Sequence, residues 1–215
     1  MVIPSKIMNN NKLILASASP RRLELLMQVG VVPDEVIHPN ISEEKSIRES
    51  PSNYALRVAK EKVYSVSSHK SGFFIIGADT VVSCGRDVLP KAENIDQARN
   101  CLQRLSGRRH RVLTGVAVIS PKSVLATAVV ETRVRFKRLT DKEVESYLIS
   151  GEWKGKAGGY AIQGFADSFV VWINGSYSNI VGLPLNQTKG LLNGLGWKMH
   201  FSKYIKINEM QNIKD

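Results

Sequence analysis

Phe73-Phe74-Ile75-Ile76-Gly77-Ala78-Asp79-Thr80-Val81-Val82 is an apolar run broken by a single carboxylate. The run reads as a buried strand. Burying an unpaired carboxylate costs a free energy on the scale of a whole domain's net stability. Asp79 must therefore be paired, hold a metal, or emerge at a strand end facing a cleft. The carboxyl ends of strands are where α/β sheets gather ligands. A structural aspartate that caps a loop is the plainer alternative.

Upstream, Lys12 to Ser17 (KLILAS) reads as a short buried strand. Ser19 then caps a helix with Pro20 at its first position, running to about Val29 and stopped by Gly30. A charged loop containing Glu43 and Glu44 follows, and Ser50-Pro51 opens a helix to about Ser67. Downstream, Cys84 falls in a loop. Asn94 with Gln97 starts a helix ended by Gly107, with Cys101 at one of its apolar positions. Strands are expected around Val112 to Ile119 and Val124 to Phe136. Thr140 and Glu143 form a capping box for a helix to about Ile149. Gly151 to Gly164 is glycine-rich and partly loop, Phe169 to Ile173 a strand, Asn174-Gly175 a turn, and Pro184 begins a last helix ending near Gly194. Helices alternate with strands and then hairpin-like strands appear, which predicts an α/β fold with a mixed central sheet flanked by helices and a cleft between two lobes. Residues 12–203 are expected to form one domain, 1–11 a flexible N-terminus and 204–215 a polar tail.

Several polar residues sit where anion chemistry would use them. In Ser17-Ala18-Ser19-Pro20-Arg21-Arg22, a strand feeds a helix N-terminus, where free backbone N–H groups and the helix dipole favour an anion. Two arginines are the wrong charges for that end on their own. A bound phosphate reverses the argument, with Ser17, Ser19, Arg21 and Arg22 as its cradle. A plain serine cap with two surface arginines is the bland alternative. Lys62 falls inside the apolar stripe of Ala55, Val58, Ala59, Val63 and Val66, so it must snorkel or meet an anion. Lys91 and Gln163 are ordinary loop residues taken singly, although an amide such as Gln163 can read the edge of a base.

The chain has 215 residues, 43% of them apolar, which is ordinary for a globular protein. No apolar stretch approaches the roughly 18–20 residues of a membrane helix, and no signal segment is visible, so a cytoplasmic protein is expected. Two cysteines make no metal or redox pair. The formal charge of +11 draws polyanions without choosing among nucleic acid, acidic lipid and phosphorylated small molecules. In Arg133-Val134-Arg135-Phe136-Lys137-Arg138, basic and apolar residues alternate. That stretch reads as a strand with a solvated face, because no aromatic residue interleaves on its charged side to stack bases.

Taken together, LILASASPRRLELL (13–26), IIGADTVV (75–82), Lys91 after VLP, LSG ending at Gly107, GKAGGYAIQG (155–164) and NGSYSNIVGLPL (174–185) resemble, in this order, the motifs of Maf-type nucleotide pyrophosphatases. The resemblance spans about Lys12 to Leu195. It implies an α/β fold like that of inosine triphosphate pyrophosphatases, a nucleotide cleft and a homodimer. It also implies hydrolysis between the α- and β-phosphates of a nucleoside triphosphate with a divalent cation, Mg²⁺ or Mn²⁺. Asp79 matches the family's catalytic proton acceptor, Arg22, Lys62 and Lys91 its phosphate-binding cations, and Glu43 a carboxylate near the metal beside Asp79. Arg21, Thr80 and Gln163 match the residues marking the branch that acts on dTTP and UTP, with modified pyrimidine nucleotides as further candidates. The branch preferring 7-methyl-GTP carries a bulky aromatic, Gln and Glu there. Ala92 departs from a proline common after the lysine. A nucleic-acid-binding or septum-formation regulatory protein is the alternative of another class; the carboxylates Asp79 and Glu43 would repel a nucleic-acid backbone at this site unless a metal is bound, so nucleic acid is not the expected partner.

Overall fold

β3, Phe74–Cys84, is the strand around which the molecule is organised. In the computed structural model, which describes residues 11–199, a seven-stranded sheet runs in the order β2-β1-β3-β5-β6-β7, with β4 paired to β3. The remaining strands are β1 (Leu13–Ala16), β2 (Glu35–Ile37), β4 (Asp87–Leu89), β5 (Arg109–Ile119), β6 (Leu125–Phe136) and β7 (Val170–Asn174). β1 lies parallel to β2 and β3, and the other pairings are antiparallel. The mixed sheet expected from the sequence is the one observed.

Alternation sorts the two sheet faces. Ile14, Ile75, Ala117 and Ile119 point toward Ala59, Val63 and Val66 of α2 (Pro51–Ser67). Leu13, Ile76, Val82, Val116 and Val134 point the other way, into the main core. That core also takes side chains from α1 (Pro20–Gln28), α3 (Ile95–Leu105), α4 (Asp141–Ser150), α5 (Tyr177–Val181) and α6 (Leu185–Gly194). α2 lies unusually close to the sheet because β3 and β5 present glycines to it. A Cβ at Gly115 would stand 2.4 Å from the Ala55 carbonyl oxygen, and one at Gly77 would stand 2.8 Å from that of Ala59.

Local capping chemistry sets the helix starts. Ser50 accepts from the Asn53 N–H, Asn94 from that of Gln97, and Thr140 and Glu143 complete a capping box. The expected cap at Ser19 is different: its side chain makes no cap bond, and its own N–H is instead bound by Ser17 Oγ at 3.1 Å. Cys84 belongs to β3 and not to a loop, since pairing with Asp87 extends the strand. β2, β4 and α5 are too short to show a period in sequence and are defined by their partners. Among the described residues no helix is long and apolar enough to cross a membrane. The expected flexible N-terminus, apart from Asn11, and the polar tail lie outside the described residues.

Candidate active site

β3 changes neighbours in mid-strand. It pairs with β1 as far as Gly77 and takes up β4 only from Val82. Between these points, on that side, Ala78 to Val81 face a gap in the sheet. Two adjoining cavities of about 340 and 550 Å³ open there, both lined by Glu43, Asp79, Thr80, Lys91 and Ala157. A carboxylate inside an apolar strand thus reaches a cleft without losing the strand.

Asp79 is 3% exposed. Its Oδ1 accepts a hydrogen bond from Lys62 Nζ at 2.8 Å. The lysine reaches it from the apolar stripe of α2 and also pairs with Glu43 Oε1 at 2.7 Å. Lys62 is 5% exposed, so the anion predicted for a lysine in that stripe is this pair of carboxylates. Glu43, on the loop before α2, makes a second, short ion pair with Lys91. Burial pushes Glu43 up, but attraction and hydrogen bonds from Lys62 and Lys91 outweigh it and hold the carboxyl at about 2.

Arg22 closes the other side. It is 8% exposed and donates from Nε to the Gly182 carbonyl at 2.8 Å, from Nη1 to Ser17 Oγ at 3.2 Å and from Nη2 to Thr80 Oγ1 at 3.3 Å. Burial lowers the Arg22 pKa, opposed by Asp79 and Glu43. Thr80 Oγ1 is also 2.9 Å from Thr114 Oγ1, and Thr114 in turn donates to the Asn179 carbonyl. This chain of bonds crosses the sheet from α5 to Arg22.

Ser19, Arg21, Arg22, Glu43, Lys62, Asp79, Thr80 and Lys91, all singled out from sequence, line the smaller cavity together. Ser17 is buried behind Arg22 and orients it. Gln163 does not reach the cleft. The Gly164 N–H bonds back to the Ala161 carbonyl, a turn that buries Tyr160 and Ile162 and leaves Gln163 exposed. The same glycine-rich segment supplies Lys156 and Tyr160 to the lining, residues the sequence reading passed over. Lys156 was visible only as a cation inside GKAGGY. Its pKa is lowered by burial and then by repulsion from Arg21.

The carboxylates offer oxygen ligands only, and among the described residues no three His, Cys, Asp or Glu side chains group as a metal cage. That donor set fits a hard cation that keeps most of its ligands as substrate oxygens and water.

Residues 12–195 match the family of Maf-like proteins. The chain is 52% identical over 197 residues to a dTTP/UTP pyrophosphatase of Mesorhizobium japonicum, covering 89% of this chain and 95% of that protein. It is 53% identical to a dTTP/UTP pyrophosphatase of Caulobacter vibrioides (86% and 96% covered) and 54% identical to a nucleoside triphosphate pyrophosphatase of Ehrlichia ruminantium (85% and 95%). Among solved structures, a HAM1 protein from Coxiella burnetii aligns over 85% of this chain and 98% of that one at 14% identity and a TM-score of 0.48, too distant a likeness to carry weight. With its ordered motifs matched along nearly the whole sequence, the chain belongs to the Maf-like protein family.

Proposed function

We propose that this chain is a nucleoside triphosphate pyrophosphatase that hydrolyses dTTP and UTP to the monophosphate and pyrophosphate. The observation that carries the reading is one buried carboxylate, Asp79, set in a sheet gap and surrounded by Arg21, Arg22, Lys62, Lys91 and Lys156. Five cations around two carboxylates suit a polyanion that brings its own counter-cation. The names of the relatives support the pyrimidine substrates.

In this mechanism Arg22 is held by three acceptors and offers its planar guanidinium to the phosphate chain without reorganising. Lys91 and Lys156 are less buried and meet the outer phosphates. Asp79 orients the attacking water and accepts its proton. Lys62 is fixed between Asp79 and Glu43 and keeps both carboxylates in place. Asp79 and Glu43 would also hold a divalent cation, which when bound supplies charge neutralisation on the phosphate oxygens. The apolar end of the cavity, built by Val82, Val112, Tyr160, Ile180 and Val181, is shaped for a base. The same proposal places the enzyme in the cytoplasm as a homodimer.

The test is pyrophosphate release from a panel of nucleotides with Mg²⁺ or Mn²⁺ and after chelation. dTTP and UTP should be turned over, 7-methyl-GTP slowly, and chelation should stop release until metal is restored. A panel in which no pyrimidine triphosphate yields pyrophosphate would overturn the reading.

A further inference from the structure

A second anion surface lies on the sheet face that carries Asp79, beyond the end of α2. Arg109 and Arg111 of β5 stand opposite Arg135 and Arg133 of β6, and Arg135 stands opposite Trp172 of β7. Directly opposed residues share a face, so these five side chains form one surface. Strands about 4.8 Å apart and alternate residues about 6.8 Å apart make the arginines a two-by-two grid. α2 covers this face as far as Leu113, which packs on Ala55, and leaves Arg109, Arg133 and Arg135 exposed, with Arg111 half-buried and donating to the Gly85 carbonyl at 2.7 Å and to Ser83 Oγ at 3.3 Å.

Like charges placed directly opposite one another destabilise a sheet, and the compensation here is partial. Glu131 pairs with Arg133 at 3.0 Å and with Arg111 at 3.5 Å. Among the described residues no carboxylate pairs with Arg109 or Arg135. Trp172 is 39% exposed, with the Arg109 guanidinium 5.6 Å from its ring centroid. The sequence of β6 shows no aromatic residue on its charged side. The sheet register brings one from β7, so the solvated face expected from β6 alone is a basic face with an aromatic platform.

A surface that combines guanidinium groups with an exposed indole suits single-stranded nucleic acid, whose phosphates and unstacked bases use both. A duplex or an anionic lipid surface would use the charge and not the ring, and a second copy of this face would set arginine against arginine. We propose that this face binds single-stranded DNA or RNA, with phosphates on the arginines and a base stacked on Trp172. Arg111 is opposite Ser83, four residues along β3 from Asp79, or roughly 13 Å, so the site is separate from the nucleotide cleft.

Fluorescence anisotropy of the full chain with labelled 5′-hydroxyl oligo(dA) and oligo(A) tests this, because these probes carry neither the triphosphate nor the pyrimidine of the proposed substrates. Binding is expected at roughly 10⁻⁶–10⁻⁴ M, with log affinity falling against log salt at a slope of about −2, as for three phosphate contacts. Trp172→Ala should weaken it about fivefold to a hundredfold. Arg135→Glu, at an exposed position, should weaken it further, and both variants should hydrolyse nucleotide like the parent chain. The oligo(dA) and oligo(A) arms decide between DNA and RNA. Binding indifferent to Trp172→Ala, equal binding to a duplex or to phosphatidylserine vesicles, or no binding at low salt would each overturn the proposal.

Discussion

Lys62 and Asp79 show how differently two members of one ion pair respond to substitution. Asp79→Asn leaves Lys62 still bound to Glu43, so the fold should persist while turnover falls by about 10²–10⁴-fold, the usual worth of a positioned general base. Near-parental unfolding curves with lost pyrophosphate release are the expected outcome. Lys62→Met instead strands the buried Asp79, while Glu43 keeps Lys91, and should cost about 3–5 kcal/mol, read from denaturant unfolding. Thr80 was expected from the family resemblance to mark substrate choice, yet its hydroxyl accepts from Arg22. Thr80→Val takes an acceptor from a buried guanidinium, a loss of about 1–3 kcal/mol. The proposal that Thr80 positions Arg22 predicts that kcat/KM falls about tenfold or more for dTTP and UTP alike. A change in the ratio between substrates would instead assign Thr80 to base recognition.

Helix α2 delivers Lys62 to Asp79 because Gly77 and Gly115 let its backbone rest on β3 and β5. Gly115 is the residue directly across from Asp79. Its missing Cβ would meet the Ala55 carbonyl carbon at 2.5 Å and Leu56 Cα at 2.7 Å, which are backbone atoms that cannot rotate away. Gly115→Ala should push the helix outward, cost about 1–3 kcal/mol as overpacking, and lower turnover by separating Lys62 from Asp79. An alanine variant with parental stability and activity would show that α2 can shift without consequence. The capping residues of α2, α3 and α4 were legible because each acts within three residues of its helix start. Strands β2 and β4 were not legible, since three residues carry no period and exist as strands through Leu15 pairing with Val36 and Ser83 with Val88.

Across the whole molecule, Glu43 is the clasp that ties the loop before α2 to the helix through Lys62 and to the loop after β4 through Lys91. Its carboxyl is held at about 2 against an ordinary 4.5. A depressed carboxylate stabilises the fold fully above its unfolded value, and that contribution fades as pH falls toward the folded one. Thermal melts should therefore lose stability between about 4.5 and about 2, and Glu43→Gln should flatten that part of the profile; an unchanged profile would remove Glu43 from the clasp. The chain's own order of residues determined the five longer helices, the buried strand that carries Asp79 and the need of that carboxylate for a partner, because periodicity, capping and the cost of burying charge act locally. Only the tertiary structure decided that Lys62 and Glu43 are the partners, that Gln163 faces solvent while Lys156 lines the cleft, and that Trp172 joins four arginines. Those outcomes depend on strand register and on the gap between β1 and β4, which arise from contacts between residues far apart along the chain.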